Sequence, residues 1–362
     1  MLLFMDGMAH YSTAEIDEKW TSVDVGAGVS TAWAVTAEGR FGNCIKRTSL
    51  NATAGGNLVI SPLISQSGAW SPKVSGVFGC ALKVDDLSAL KVPSQSGDKT
   101  FLLTNASINS LGLDLSPSGT FALWRQDLSP VLLGTSVEAI INDTWAFIEF
   151  KWVIDGAVGS FEIRSNGVPV LTLTGIDTLP NKVGADVWNS LNVLGGPSPS
   201  GDAVMRICDV HLFDLTGTVN NDFIGDAVVD VILPDGVGNS SGWAPTPGPN
   251  NWADADEVPP DGDTSYVEAT TAALKDTYTF QDVLGDPFGI QICAYARRTA
   301  VGSATLKPIV RQGTTDYAGV ELGIGDTAYS YLLWPYDTNP DTGLRFTKAE
   351  MDAAEFGPQK ET

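Results

Sequence analysis

Asp209, His211 and Asp214, in the run MRICDVHLFDL, are the residues of this sequence whose types and spacing best suit acid–base chemistry. Side chains two positions apart share one face of a strand, so Asp209 and His211 would lie side by side. Sugar hydrolysis usually needs two carboxylates, about 5–5.5 Å apart for a retaining enzyme. No strand-like run carries two acids in that register. We interpret the run as a closing strand with an exposed polar face and predict no catalytic residues.

The other motifs of catalysis are missing from the sequence. It has two histidines, and neither accompanies a G-x-S-x-G nucleophile turn. There is no HExxH, no phosphate-binding loop and no dinucleotide fingerprint. His10, in DGMAHY, is expected in a structural polar cluster at the end of the first strand. The sequence therefore predicts no enzyme and no cofactor.

An acidic stretch at 254–263 invites comparison with a calcium loop. Asp261 and Asp263 offer oxygen ligands at alternate positions, and Asp254, Asp256 and Glu257 precede them. The stretch lacks the sixth-position glycine and the twelfth-position glutamate of an EF-hand. We predict a solvated acidic loop and no metal site.

Four cysteines lie far apart, without a CxxC pair, and are predicted as buried free thiols with a disulfide as the alternative: Cys44, Cys80, Cys208 and Cys293.

Four tryptophans lie in loop-like sequence rich in Gly, Pro, Asn and Ser. An exposed indole there could form a stacking platform for a sugar ring. The alternative is that each large ring pins its loop onto the body of the protein, and this alternative is favoured. The candidates for ligand binding are Trp70, Trp188, Trp243 and Trp252.

The charge of the chain limits its partners. It has 21 basic and 43 acidic residues, a net charge of −22. Nucleic-acid affinity depends on Lys and Arg neutralising phosphates, so no nucleic-acid partner is expected. No apolar run approaches the roughly 20 residues of a membrane helix, so no membrane insertion is expected. An acidic surface suits a soluble protein or one that faces outward from an assembly.

Residues 147–173 alternate between apolar and polar side chains and contain the turns Asp155-Gly156 and Asn166-Gly167. This pattern predicts three antiparallel strands with Phe150, Trp152, Phe161 and Ile163 on a buried face. Similar strand signals recur through the chain, so the predicted fold class is all-β. We predict a β-sandwich over 1–222, then a smaller β-sandwich over 223–362 with a long loop at 234–264. Thr347 and Glu350 have capping-box spacing, which predicts a short helix.

The segment from Trp145 to Thr174 resembles the central hairpins of concanavalin A-like (laminin-G-like) lectin and glucanase sandwiches. Those proteins share the Trp, the Asp-Gly turn and the Asn-Gly-Val turn, present here at 155–156 and 166–168. Their closing strand is typically Ile-Asp-Asp-Val-x-Ile-Tyr, and residues 207–213 read ICDVHLF. The resemblance implies a concanavalin A-like sandwich, with Cys208 replacing the first common Asp.

A second resemblance covers nearly the whole chain. LLFMDGMAHY, LTGTVNNDFIGDAVVDVILPDG, DTSYVEAT and YDTNPDTGLRFTKAEMDAAEFG are similar to segments of structural proteins of tailed phages and prophages. It implies a non-enzymatic component of the virion, in the tail, a fibre or on the capsid surface. Its partners would be other virion proteins and copies of itself. The alternatives are a glycan-binding module for host adhesion and, third, a glycosidase-like enzyme.

Overall fold

The computed structural model describes residues 1–20, 22–23, 33–48, 58–60, 72–90, 92–95, 99–105, 108–193, 203–299, 302–325 and 327–362, with backbone alone at 22–23 and 58–60. The chain folds into two compact units, one ending at Val229 and the other beginning at Asp230. The domain boundary predicted from sequence, 222/223, lies seven residues earlier.

The first unit is built almost entirely from strands. Among its described residues, two helical pieces interrupt them: a 3₁₀ turn at Thr13–Glu15 leading into α1 (Ile16–Lys19), and a second 3₁₀ turn at Leu87–Ala89. The strands are β1 (Leu2–Asp6), β2 (Ser22–Val23), β3 (Trp33–Thr36), β4 (Cys44–Thr48), β5 (Leu58–Ile60), β6 (Ser75–Val84), β7 (Phe101–Asn105), β8 (Ile108–Leu115), β9 (Phe121–Arg125), β10 (Val131–Thr135), β11 (Ala146–Val153), β12 (Gly159–Ser165), β13 (Val168–Ile176), β14 (Ser190–Val193) and β15 (Val204–Phe213).

These strands form two antiparallel sheets. One has the order β13-β12-β11-β6-β15-β4-β3, with β1 also paired to β15, and the other has the order β10-β9-β8-β7-β14-β5-β2. Side chains from both sheets meet in a shared core, where the Phe101 ring lies 5.0 Å from that of Phe150. Phe150, Trp152, Phe161 and Ile163 are each at most 2% exposed, as the alternation predicted. The predicted all-β sandwich is confirmed.

The second unit is also antiparallel. Its main sheet has the order β16-β19-β25-β21-β22, with β23 on β21, and two pairs of strands, β17-β18 and β20-β24, complete it. The strands are β16 (Pro234–Ser241), β17 (Ala244–Thr246), β18 (Tyr266–Glu268), β19 (Asp276–Phe280), β20 (Ile290–Ala296), β21 (Thr305–Gln312), β22 (Thr315–Ala318), β23 (Leu322–Gly323), β24 (Ser330–Tyr336) and β25 (Glu355–Lys360).

Two sequence predictions for the second unit have different outcomes. The helix α2 (Lys348–Asp352) begins at the predicted capping box, with reciprocal hydrogen bonds between Thr347 and Glu350. The prediction of one long loop at 234–264 is wrong, because this stretch contains β16, β17 and a 3₁₀ turn at Asn251–Asp254. Backbone pairing of β16 with β19 outweighs the low strand propensity of its Gly, Asn and Ser residues.

Candidate functional site

Glu149 and His211 come together on the outer face of the eight-stranded sheet. Gly79 of β6 pairs with Glu149 of β11 on one side and with His211 of β15 on the other. A Cβ at Gly79 would lie 2.3 Å from Cε1 and Nε2 of His211, so the imidazole occupies the space that the missing side chain leaves. His211 Nε2 lies 4.0 Å from Glu149 Oε1 as a result.

Residues 222–229, here called the cover segment, run across this face. The backbone N–H groups of Ile224 and Gly225 donate to Glu149 Oε1 at 3.0 and 3.1 Å. The guanidinium of Arg164 lies 4.0 Å from the centre of the Phe223 ring. The exposed fractions of Glu149 and His211 are 1% and 2%. The chain itself therefore closes this acid–imidazole pair off from solvent.

Burial sets the protonation of the pair. Desolvation lowers the pKa of His211 to about 3, so its imidazole is neutral at ordinary pH. Desolvation also raises the pKa of Glu149, although the two backbone donors of the cover segment oppose this effect. Within the described residues, both ring nitrogens of His211 and Oε2 of Glu149 lack hydrogen-bond partners. The pair has the chemistry of a general acid and base, but both side chains are buried and out of reach of a substrate in solution.

The predicted exposed face around Asp209, His211 and Asp214 is wrong, because all three side chains are buried. Asp209 has a positive φ of 53° at a bulge in β15 and accepts from the backbone N–H of Val229 at 3.0 Å. Asp214 lies 2.8 Å from the N-terminal ammonium and 2.8 Å from Lys73 Nζ. The two carboxylates thus have separate partners and do not form a catalytic pair.

A second polar cluster lies on the outer face of the seven-stranded sheet. We call it the polar face and define it by Lys99, Asp114, Trp124 and Gln126 around Gly112. Gly112 pairs with Trp124, while the neighbouring pair Leu113 and Leu123 points into the core. A Cβ at Gly112 would lie 2.5 Å from Lys99 Cγ and 3.0 Å from Gln126 Nε2.

The polar face contains an ion pair and, beside it, two N–H groups without hydrogen-bond acceptors among the described residues. Lys99 Nζ lies 2.7 Å from Asp114 Oδ2 and 4.8 Å from the centre of the Trp124 ring. Trp124 Nε1 and Gln126 Nε2 have no hydrogen-bond partner among the described residues, although these side chains are 7% and 6% exposed. A buried donor without an acceptor costs about 1–3 kcal/mol. In folded proteins such donors are usually completed by ordered water or by a bound group.

One of the four candidate tryptophans, Trp188, is not placed to stack on a sugar ring. Trp188 is fully buried, packs edge-on against Trp152 at 5.1 Å and donates from Nε1 to the Ser75 carbonyl. Trp243 is half-buried and donates from Nε1 to the Leu274 carbonyl, which ties down its loop. Trp252 is also half-buried, in a 3₁₀ turn, and Trp70 lies outside the described residues.

Sequence reasoning missed Trp124, although a usable signal was present. In FALWRQ, Phe121 and Leu123 alternate with Trp124 and Gln126, which places the indole and the amide together on the face opposite the core. The signal is weak because an isolated strand does not reveal which face meets a second sheet.

The carboxylates of the acidic stretch bind protein donors individually. Asp263 Oδ1 accepts from Arg297 at 2.7 Å and from Tyr329 at 2.8 Å, while Asp261 accepts from Ser265. Over the described part of the chain, no group of three His, Cys, Asp or Glu side chains is arranged to hold a metal ion.

Of the cysteines, Cys293 is exposed rather than buried, and all four are free thiols.

No family model matches the chain, and no curated protein matches it either. Among the described residues, no helix is both long and apolar enough to cross a membrane.

Several solved structures share the β-sandwich fold. An endo-β-1,4-glucuronan lyase from the fungus Trichoderma reesei is 10% identical, with 59% of this chain and 96% of the lyase covered and a TM-score of 0.42. A GH131 β-glucanase catalytic domain from Podospora anserina is 11% identical, with 57% and 92% covered and a TM-score of 0.36. The carbohydrate-binding module CBM66 from Bacillus subtilis is 13% identical, with 54% and 96% covered and a TM-score of 0.30. At these identities the similarity concerns the fold alone.

The prediction that the chain is not an enzyme is wrong in light of this comparison. It relied on the missing pair of acids in one strand, yet a lyase and a glucanase are among the proteins that share the sandwich. The missing motif therefore does not exclude an enzyme.

Proposed function

We propose that the chain is a glycan-recognising β-sandwich protein and that the polar face of the first unit is its binding surface. The observation that carries this proposal is the pair of unused donors, Trp124 Nε1 and Gln126 Nε2, side by side on one outer sheet face. Sugar hydroxyl groups both accept and donate hydrogen bonds, so they match an indole, an amide, an ammonium and a carboxylate together.

The arrangement also explains how a sugar would reach the indole. The Lys99 stem lies over Gly112, and its ammonium lies over the Trp124 ring. A lysine stem has several rotatable bonds and moves more cheaply than a strand backbone. Swinging Lys99 aside uncovers the ring, but it breaks the ion pair with Asp114 and the bond to the Ser94 carbonyl, so a bound sugar must replace these contacts. Because the chain carries a net charge of −22, the preferred glycan is neutral rather than acidic.

The protein would act on the outside of a tailed-phage particle, in contact with virion proteins and further copies of itself. The resemblance of four segments to phage and prophage structural proteins supports this location. Two of these segments have a structural role within the first unit: one begins with β1, and the other contains the cover segment. Glycan recognition from a particle surface would serve host adhesion.

A glycan array tests the binding proposal. The wild-type chain is expected to bind neutral glycans, and Gln126→Leu should weaken that binding about tenfold because one hydrogen bond is lost. The matched control is Trp33→Phe, which removes an unpartnered indole N–H from the other sheet. Equal binding by wild type and Gln126→Leu, or no binding by the wild type to any glycan, would overturn the proposal. Labelling intact particles with an antibody to the chain tests the virion location separately.

A further inference from the structure

Asp6 and Lys19 form a fully buried pair near the N-terminus of the chain. Asp6 ends β1, and Lys19 is the last residue of α1. Lys19 Nζ lies 3.0 Å from Asp6 Oδ1, and both side chains are at most 1% exposed. Ser12 and Glu15 form a capping box at the turn between them, which fixes the path that returns Lys19 to Asp6.

The surroundings of the pair differ from those of an ordinary ion pair. Three donors hold the Asp6 carboxylate: the backbone N–H of Met8 at 2.9 Å, the Tyr11 hydroxyl at 2.7 Å and Trp20 Nε1 at 2.9 Å. Lys19 Nζ also lies 2.8 Å from His10 Nε2. These groups place a nucleophile, a proton acceptor and a set of oxyanion donors around one carboxyl carbon.

Protonation in the resting state is set by burial and by the neighbouring charges. Desolvation lowers the pKa of His10 to about 3, with Lys19 adding to the effect, so the ring is neutral. Burial raises the pKa of Asp6, but Lys19, His10 and the hydrogen bonds outweigh it and the net pKa is lowered. The resting pair is therefore ionised, with a neutral imidazole in contact with the ammonium.

We propose that Lys19 and Asp6 join in an intramolecular isopeptide bond, with His10 as the proton carrier. Lys19 passes one proton to Asp6 along their hydrogen bond, and the freed amine attacks Cγ of the neutral carboxyl group. Met8, Tyr11 and Trp20 hold the two oxygens of the tetrahedral intermediate. His10 then carries one proton from the nitrogen to the hydroxyl group, which leaves as water. An ammonium and a carboxylate become one amide and one water, and His10 returns to its neutral form.

A second buried Lys–Asp pair in the same unit provides an internal control. Lys99 Nζ lies 2.7 Å from Asp114 Oδ2, with exposed side-chain fractions of 1% and 10%. Its other hydrogen bond goes to the Ser94 carbonyl, which cannot carry a proton away in the manner of an imidazole. We therefore expect the Lys99–Asp114 pair to remain ionic.

Mass spectrometry of the denatured full-length chain tests the proposal without any substitution. The wild-type protein is expected to be lighter than its sequence by one water, and digestion should yield one branched peptide that joins Lys19 to Asp6. Lys19→Arg should have its full sequence mass, whereas Lys99→Arg should still lose one water. Asp6→Asn should lose ammonia instead, which gives a product of the same mass as the wild-type product.

Two results of the mass measurement would overturn the proposal. A folded wild-type chain that keeps its full sequence mass after prolonged incubation at neutral pH contradicts the bond. A water loss that digestion maps to any other pair of residues also contradicts it. A slower mass change in His10→Gln than in the wild type would support the assigned role of the imidazole, and an unchanged rate would refute that role.

Discussion

The two outer sheet faces of the first unit differ in whether a described chain segment donates hydrogen bonds to their buried polar groups. On the eight-stranded sheet, Glu149 receives two backbone hydrogen bonds from the cover segment, and the chain closes over it. On the seven-stranded sheet, Trp124 and Gln126 keep donors for which the described chain supplies no acceptor. Both faces hold buried polar atoms without partners among the described residues, since both His211 ring nitrogens and Glu149 Oε2 also lack them, but the described cover segment lies over the first face alone. This cover, rather than the presence of acids or aromatic rings, is why we propose the second face and not the first as the binding surface.

The largest expected effect compares the glycines at the centres of the two faces. Gly79→Ala would push a methyl group to 2.3 Å from the buried His211 ring, which packs against Phe147 and Phe213 and has little room to move away. Overpacking of this kind costs about 3 kcal/mol at the upper end of its usual range. Gly112→Ala meets Lys99 Cγ at 2.5 Å and the Gln126 amide at 3.0 Å, which belong to side chains with more rotatable bonds than an imidazole, and should cost about 1–2 kcal/mol. Urea unfolding measures both changes, and equal losses would show that the two faces are equally closed.

The next effect concerns the carboxylate that the cover segment binds. Glu149→Ala leaves the N–H groups of Ile224 and Gly225 without their acceptor, and we expect a loss of about 2 kcal/mol in unfolding free energy. Glu149→Gln keeps an acceptor oxygen and removes the desolvated charge, so it should cost less than about 1 kcal/mol. Faster hydrogen exchange at 224 and 225 in the alanine variant would locate the loss in the cover segment. Unchanged exchange there would contradict the closed-face account.

A smaller effect appears as a pH dependence. The pKa of His211 is about 3 in the folded state against 6.5 for an ordinary histidine, so the unfolded chain takes up the proton first. Well above pH 6.5 the ring is neutral in both states, and as the pH falls toward 3 protonation of the unfolded chain progressively lowers the stability of the fold. Between pH 6 and 5, His211→Phe should lose about 1.2 kcal/mol less unfolding free energy than the wild type. Parallel stability curves for the two proteins would show that His211 titrates normally.

Features formed by residues close together in the sequence could be predicted from it, whereas contacts between strands distant in sequence could not. The alternation at 147–173 and the Thr347–Glu350 capping box are local patterns, and both predicted the right element. The Glu149–His211 contact depends on Gly79, a residue of a third strand that separates them in the sheet. Trp188 looked like a loop residue, but its backbone bridges to Lys73 and its ring enters the core. Such contacts follow from strand order and register, which the local pattern does not specify.

The measurement that tests the binding face most directly is the NMR signal of the tryptophan indole N–H groups during titration with a neutral glycan identified on the array. The Trp124 signal is assigned by its loss in Trp124→Phe, and the Trp33 signal is assigned in the same way. We expect the Trp124 signal to shift in proportion to glycan bound while the Trp33 signal stays in place. Saturation with the glycan while the Trp124 signal remains unchanged would contradict the central claim that the polar face is the binding surface.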